Sequence, residues 1–337
     1  MKKKKLLIFG GAGFIGTVLL NKIQDNFDVT VFDSFFFNKI NTLKKKYKKI
    51  NFLKGNINSN IEKSLFQNVD IVIHLAGLAN DPSADYNPNN TVLTNHVSTI
   101  EISKIAREKK VKKLIYASSC SVYGDHGDIY IDEEIQEKPL TVYALSKYSS
   151  EKEILKLATK DFEVISLRLA TLFGLSPRMR FDLGVNTMTK QILEKKNIIV
   201  NGDGEQYRSF VHVSDVAKTI IFFANLTKRS RHKVFNVGSE INNIKIIDLA
   251  KVFKEKFNVK IDRNLKNYDF RTYRVNFDRL DKLFDTKKFV SLNKGIEEIY
   301  NFYKNKKINL NSDKFYNLRV VKSKWKFSIH NCTKCNF

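Results

Sequence analysis

Tyr143 and Lys147 stand four residues apart in a stretch, residues 142–159, with helical character. That spacing puts both side chains on one helix face, one turn apart. A free phenol has a pKa of about 10, too high for a base at neutral pH. A neighbouring ammonium favours the phenolate and lowers that value. The pair is therefore equipped to take a proton from a hydroxyl. A Tyr and a Lys at this spacing are also common by chance on a helix surface, so the surroundings must decide.

One neighbour is the run Ser118-Ser119-Cys120-Ser121-Val122-Tyr123-Gly124, which directly follows an apolar strand pattern, Leu114–Ala117. In open α/β sheets the carboxyl ends of the strands are where ligands bind. Ser119 is placed to donate a hydrogen bond to the same substrate oxygen that Tyr143 deprotonates. The alternative reading of a serine-rich strand end is loop capping.

A second neighbour is Gly10-Gly11-Ala12-Gly13-Phe14-Ile15-Gly16, between a strand pattern and a helix pattern. Gly10 allows a tight turn, Gly13 lets the backbone approach a pyrophosphate, and Gly16 permits close helix–strand packing. Asp33 ends the next strand, Val29–Phe32, about 20 residues on, where a carboxylate bonds a ribose 2′-hydroxyl and repels a 2′-phosphate. No Arg or Lys follows it immediately. The expected cofactor is NAD, whose positive nicotinamide further favours a Tyr143 phenolate. Two more strand ends point at the same crevice. Gly55-Asn56-Ile57 suits an adenine edge, and His74-Leu75-Ala76-Gly77 offers small residues for close approach. His74 itself reads as a packed strand residue.

The elements that must position these groups alternate. Strand patterns at Leu6–Phe9, Val29–Phe32, Asn51–Lys54, Ile71–Leu75, Leu114–Ser118 and Val164–Leu169 are interleaved with helical patterns at Phe14–Lys22, Val92–Lys109 and Val142–Thr159. This order implies an α/β fold, a Rossmann-type doubly wound parallel sheet with right-handed crossovers. Residues 1–174, joined by about 205–255, are expected to form the NAD-binding domain. Residues 175–204 and 256–310 are expected to form a smaller C-terminal substrate-binding lobe. Residues 311–337 show no period and read as a tail.

With 337 residues, 42% of them hydrophobic, the chain can bury a large core. Its 59 basic and 35 acidic residues give a formal net charge of +24. The lysines are scattered, so the charge reads as general basicity rather than a site. No basic stripe interleaved with aromatics suggests nucleic acid. No apolar run approaches the ~20 residues that span a bilayer. Three cysteines, Cys120, Cys332 and Cys335, make no disulfide framework, and the expected location is the cytoplasm. His330-Asn331-Cys332-Thr333-Lys334-Cys335 is half of a zinc site at most, and no metal is expected.

The glycine turn, Asp33, His74–Gly77, Asn95, Ser119 and Tyr143/Lys147 together resemble the extended short-chain dehydrogenase/reductases, the NAD-dependent sugar-nucleotide epimerases and dehydratases. The likeness runs on through Leu167–Gly174, Asn201–Val216 and Phe235–Gly238, about 300 residues in all. It implies catalysis by Tyr143, Lys147 and Ser119. It implies NAD contacts from the glycine turn with Phe14 and Ile15, and from Asp33, Asn56, Ile57, Leu75, Ala76, Gly77, Asn95, Ser118, Tyr143 and Lys147. It implies a nucleoside diphosphate sugar substrate near Ser119, Thr171, Asn186 and Arg208, with Arg271 or Arg274 as a further phosphate contact. It also implies a homodimer through the helices starting near Val92 and Val142.

The dehydratase branch places an Asp-Glu pair after its catalytic Thr, where this chain has Cys120 and Ser121. Elimination of water needs a positioned acid and base, so 4,6-dehydration is disfavoured. Cys120 reads as a buried structural thiol. One acid/base Tyr with NAD suits a 4-epimerase working through a transient 4-keto sugar; it equally suits a sugar dehydrogenase or reductase. Thr171 replaces the usual asparagine of the commonest 4-epimerases, and Ser176–Asp182 is also unlike theirs, which implies a different sugar. A non-catalytic dinucleotide-binding subunit is the remaining alternative, disfavoured because Tyr143 and Lys147 are both present.

Overall fold

The computed structural model describes residues 3–266, 269 and 271–330, without the side chains of residues 325–330. Seven parallel strands form the central sheet. In spatial order they are Val234–Val237, Glu163–Leu169, Lys113–Ser119, Ile71–His74, Lys5–Phe9, Asp28–Asp33 and Ile50–Lys54. The first strand lies between the second and the fourth, so chain order reverses between Lys5–Phe9 and Ile71–His74. A crevice opens at the carboxyl ends of the strands at such a switch point. The glycine turn leaves one side of it and Leu75–Gly77 the other.

Inner strands such as Ile71–His74 are largely apolar because both faces are covered. Leu6 and Ile8 point into one hydrophobic cluster, and Leu7 and Phe9 into the other. Helices Phe14–Ile23 and Val213–Asn225 fill the first face; Ser98–Glu108 and Val142–Lys156 fill the second. A third cluster, including Val185, Met188, Val200, Phe210, Leu249 and Ile296, packs apart from the two faces of the central sheet. There strand Tyr207–His212 pairs in parallel with Thr171–Phe173 and antiparallel with Asn243–Lys245. The fold is the Rossmann-type sheet expected from the pattern.

Two local expectations change. The pattern from Val92 to Lys109 is not one regular helix: Pro88–Val92 leads into a π-helical turn, Leu93–Val97, before Ser98–Glu108. Such turns are frequent at functional sites, and this one swings Asn95 fully inward. The expected tail contains a helix, Asn317–His330, because Phe315, Val320 and Val321 are buried against the body. Cys332 and Cys335 lie outside the described residues. Among the described residues no helix is long and apolar enough to cross a membrane, and no group of three or more His, Cys, Asp or Glu could hold a metal ion.

Candidate active site

Two cavities meet at the switch point. The first, about 290 Å³, is walled by Gly10, Gly13, Asp33, Asn56, Ile57, Leu75, Ala76 and Gly77, with Phe32, Phe36 and Phe37 adding apolar surface. The second, about 410 Å³, is walled by Ser118, Ser119, Tyr143, Lys147, Thr171, Arg208 and Arg271, among others. Leu75, Gly77 and Leu78 line both, so the two form one trough.

The glycine turn fits a dinucleotide. Gly10 has φ +80°, and a Cβ there would lie 2.5 Å from the Ala76 nitrogen. A Cβ on Gly16 would lie 2.3 Å from the Gly11 carbonyl oxygen, which fixes the close packing expected of it. Ile15 reaches the larger cavity, whereas Phe14 is buried in the core and lines neither. Asp33 accepts from the Ala12 N–H at 2.9 Å and the Phe35 N–H at 2.7 Å. Burial raises its pKa, and these bonds oppose the rise. Each carboxylate oxygen keeps a further lone pair for a ribose hydroxyl.

Asn95 works from below. Its amide donates to the Leu78 carbonyl at 3.1 Å and accepts from the Leu78 N–H at 2.7 Å. It is a clamp on the strand end beside Gly77, not a wall of the trough. His74 is wholly buried, and its Nε2 pairs with Thr99 Oγ1 at 2.8 Å. Burial, with the nearby Lys147 charge, lowers its pKa to about 3, so it is a neutral packed residue.

Tyr143 and Lys147 share one face of helix Val142–Lys156, which Thr141 caps through the Ala144 N–H. The Lys147 ammonium donates to the Ala117 carbonyl at 2.9 Å and lies 4.8 Å from the centre of the Tyr116 ring. Burial lowers its pKa to about 8. The phenol departs from the sequence reading. Burial pushes the Tyr143 pKa up to about 12, and the opposing pull comes from a Ser119 hydrogen bond and the Arg180 charge. Lys147 faces the strand carbonyl instead.

The far wall is charged. Arg208 donates to Asp269 at 2.7 Å, to the Tyr207 carbonyl at 2.8 Å and to the Arg271 carbonyl. Arg271 grips Asp269 through Nε at 2.8 Å and NH2 at 2.9 Å, and reaches across the cleft to Asp81 at 2.9 Å. Burial alone would raise the Asp269 pKa, but Arg271 and Arg208 hold it down at about 2. Arg274 turns onto Asp128 and the Tyr130 ring, whereas Arg271 lines the cleft. Asn186 lies beneath the wall: its amide is engaged by the Gly174 N–H and the Arg180 carbonyl. Cys120 is buried, with its thiol on the Arg168 carbonyl and its pKa pushed up by burial.

This arrangement sets the crevice beside the glycine turn against a cleft lined by Ser119, Tyr143 and Lys147. The model of the NAD dependent epimerase/dehydratase family matches residues 6–238. The chain belongs to that family. It is an NAD-dependent enzyme of the epimerase/oxidoreductase kind.

Members of the NAD dependent epimerase/dehydratase family with different reactions resemble it about equally. A UDP-glucuronate 4-epimerase of Thermodesulfobacterium geofontis is 28% identical, covering 88% of this chain and 95% of its own. A dTDP-D-glucose 4,6-dehydratase of Dictyostelium discoideum is 27% identical, covering 94% and 86%. The crystal structure of a UDP-glucuronic acid 4-epimerase from Bacillus cereus, in complex with UDP-glucuronic acid and NAD, superposes with a TM-score of 0.77. Its sequence is 25% identical, and the match covers 88% of this chain and 98% of that one.

Four wall residues escape the sequence reading. Asp81 sits beyond the strand end His74–Gly77, in a segment without apolar period. Arg180 and Asp182 pair at 2.8 Å within the segment already marked as unusual. Asp269 gives no signal until Arg208 and Arg271 are brought to it.

Proposed function

We propose that this enzyme inverts C4 of a nucleoside diphosphate sugar. The observation that carries the reading is a cleft lined by Tyr143 and Ser119 with no carboxylate on the turn that follows Ser119, Cys120–Tyr123. A dehydration needs an acid and a base beside the leaving hydroxyl. Cys120 is buried on a carbonyl and Ser121 is neutral, so that turn supplies neither.

Bound NAD supplies a reversible hydride acceptor. The work of the chain is then to move a proton and to hold the sugar. Tyr143 takes the proton from the sugar hydroxyl as its carbon becomes a ketone, and returns it after the sugar has turned over. Ser119 bonds the same oxygen. Arg208 and Arg271, paired guanidiniums with forked donors, match a diphosphate. Thr171 lines the cleft and would shape the sugar pocket.

The reading is tested by incubating the NAD-loaded protein with a panel of nucleotide sugars and examining products by mass spectrometry and NMR. A product of unchanged mass and inverted C4 supports it. Loss of two hydrogens, or of water, overturns it. Tyr143→Phe should abolish turnover by roughly a thousandfold, the scale of general acid–base catalysis.

The protein is further proposed to pair with a second copy through helices near Val92 and Val142. Leu93, Val97 and Leu145 lie exposed on them, and exposed apolar side chains on adjoining helices favour association.

A further inference from the structure

Ser119 begins a single turn of 3-10 helix, Cys120–Tyr123, and its side chain accepts the turn's first free N–H, that of Ser121, at 3.2 Å. The Ser121 hydroxyl donates to the same oxygen at 2.9 Å. A serine hydroxyl has two acceptor lone pairs and one proton. Both lone pairs of Ser119 are therefore filled by one neighbour, and only its own proton is left to give. Ser121 is half-buried and lines the cleft beside Ser119 and Tyr143.

We propose that Ser121 is a positioning residue for proton transfer, which forces Ser119 to act only as a donor and to give its one proton to the Tyr143 oxygen. This rests on the reading that Tyr143 is the base. An undirected Ser119 could turn and accept the tyrosine's proton, which would stabilise the phenol. A Ser119 that can only donate stabilises the phenolate instead, because hydrogen bonding to the charged form favours that form. The direction matters here because Tyr143 has few other allies. Burial pushes its pKa up, Asp81 and Tyr273 push the same way, and only Ser119 and Arg180 oppose them. Lys147, on the same helix, directs one of its three N–H donors to the Ala117 carbonyl. The turn that lacks the dehydratase carboxylates thus has a task of its own in ordering the serine's proton.

The test uses the NAD-loaded protein and needs no sugar. The ultraviolet phenolate band is titrated in wild type, Ser121→Ala and Ser121→Thr. Each is measured against the same chain carrying Tyr143→Phe, so that only the Tyr143 signal remains. The expected result is a Tyr143 midpoint about one pH unit higher in Ser121→Ala, which is about tenfold in the proton equilibrium. Ser121→Thr, which keeps the hydroxyl, should return to the wild-type midpoint. Where the alanine chain does not fold, Ser121→Cys, a weak donor of similar size, carries the same test. With a turned-over nucleotide sugar, kcat at neutral pH should fall about tenfold in Ser121→Ala while KM stays within about twofold, the loss expected for a hydrogen bond to a charged group. An unchanged midpoint in a Ser121→Ala protein that binds NAD normally overturns the proposal. A raised midpoint in a protein that turns over no nucleotide sugar keeps the positioning role and removes the C4 reading.

Discussion

The Lys147 ammonium donates to the Ala117 carbonyl at 2.9 Å, two residues before Ser119 in the strand Lys113–Ser119. The bond ties the helix that carries Tyr143 to the strand that carries Ser119, and so fixes the distance between base and donor. Burial lowers the Lys147 pKa from 10.5 to about 8. Between those values the unfolded chain binds the extra proton, so stability from this group rises with pH there and is lowest below about pH 8. In NAD-free protein, Lys147→Met should therefore melt higher than wild type at pH 7. The gap should narrow towards pH 10.5, by a few kcal/mol at most. The same variant should lose at least about a hundredfold in turnover. A melting difference independent of pH would contradict a buried ammonium.

Arg271 is already occupied. Asp269 and Asp81 both hold it, and Asp81 also accepts from Thr141 Oγ1 at 2.6 Å. A substrate diphosphate must compete with Asp81 for that guanidinium. Asp81→Asn keeps an acceptor for Thr141 but removes the charge. Calorimetry should find UDP bound several-fold more tightly by Asp81→Asn, since a freed cation in a partly buried cleft attracts phosphate more strongly. Binding that is unchanged or weaker would place the diphosphate elsewhere.

Gly10 offers a steric test of the cofactor site. An alanine there takes a strained positive φ and drives a Cβ to within 2.6 Å of both Ala76 N and Cα. The strain is on the order of 1–2 kcal/mol before the clash is counted. Gly10→Ala should lose NAD binding, read by quenching of protein fluorescence on NADH addition, and should melt lower. Normal binding would contradict the assignment of the turn.

Much of this was legible in the residues. Runs such as Ile71-Val72-Ile73 are readable because strands buried on both faces cannot hide their composition. The glycine turn is readable because steric demands admit no other residue. The cleft wall was less so. Asp81 and Asp269 matter through partners 61 to 190 positions away, as Arg208–Asp269 and Asp81–Arg271 show, and no local pattern records such pairs. The π-turn at Leu93–Val97 kept its apolar spacing and so looked like plain helix. Spacing places Lys147 on the face that carries Tyr143 but does not say which acceptor its ammonium finds, and that acceptor is the Ala117 carbonyl.

The exposed side chains Leu93, Val97 and Leu145 predict association. Light scattering on wild type should give twice the chain mass of 39.1 kDa, and Val97→Lys with Leu145→Glu should give the single chain with its NAD binding intact. A monomeric wild type would remove the dimer.

The central claim is that hydride leaves and returns to one sugar carbon while Tyr143 carries the proton. A nucleotide sugar with deuterium at C4, once found to react, decides it by NMR of the product. Complete retention of deuterium at C4, in inverted configuration and with no NADH accumulating in solution, is the predicted result. Deuterium lost to solvent, or a product oxidised with NADH released, would contradict the account.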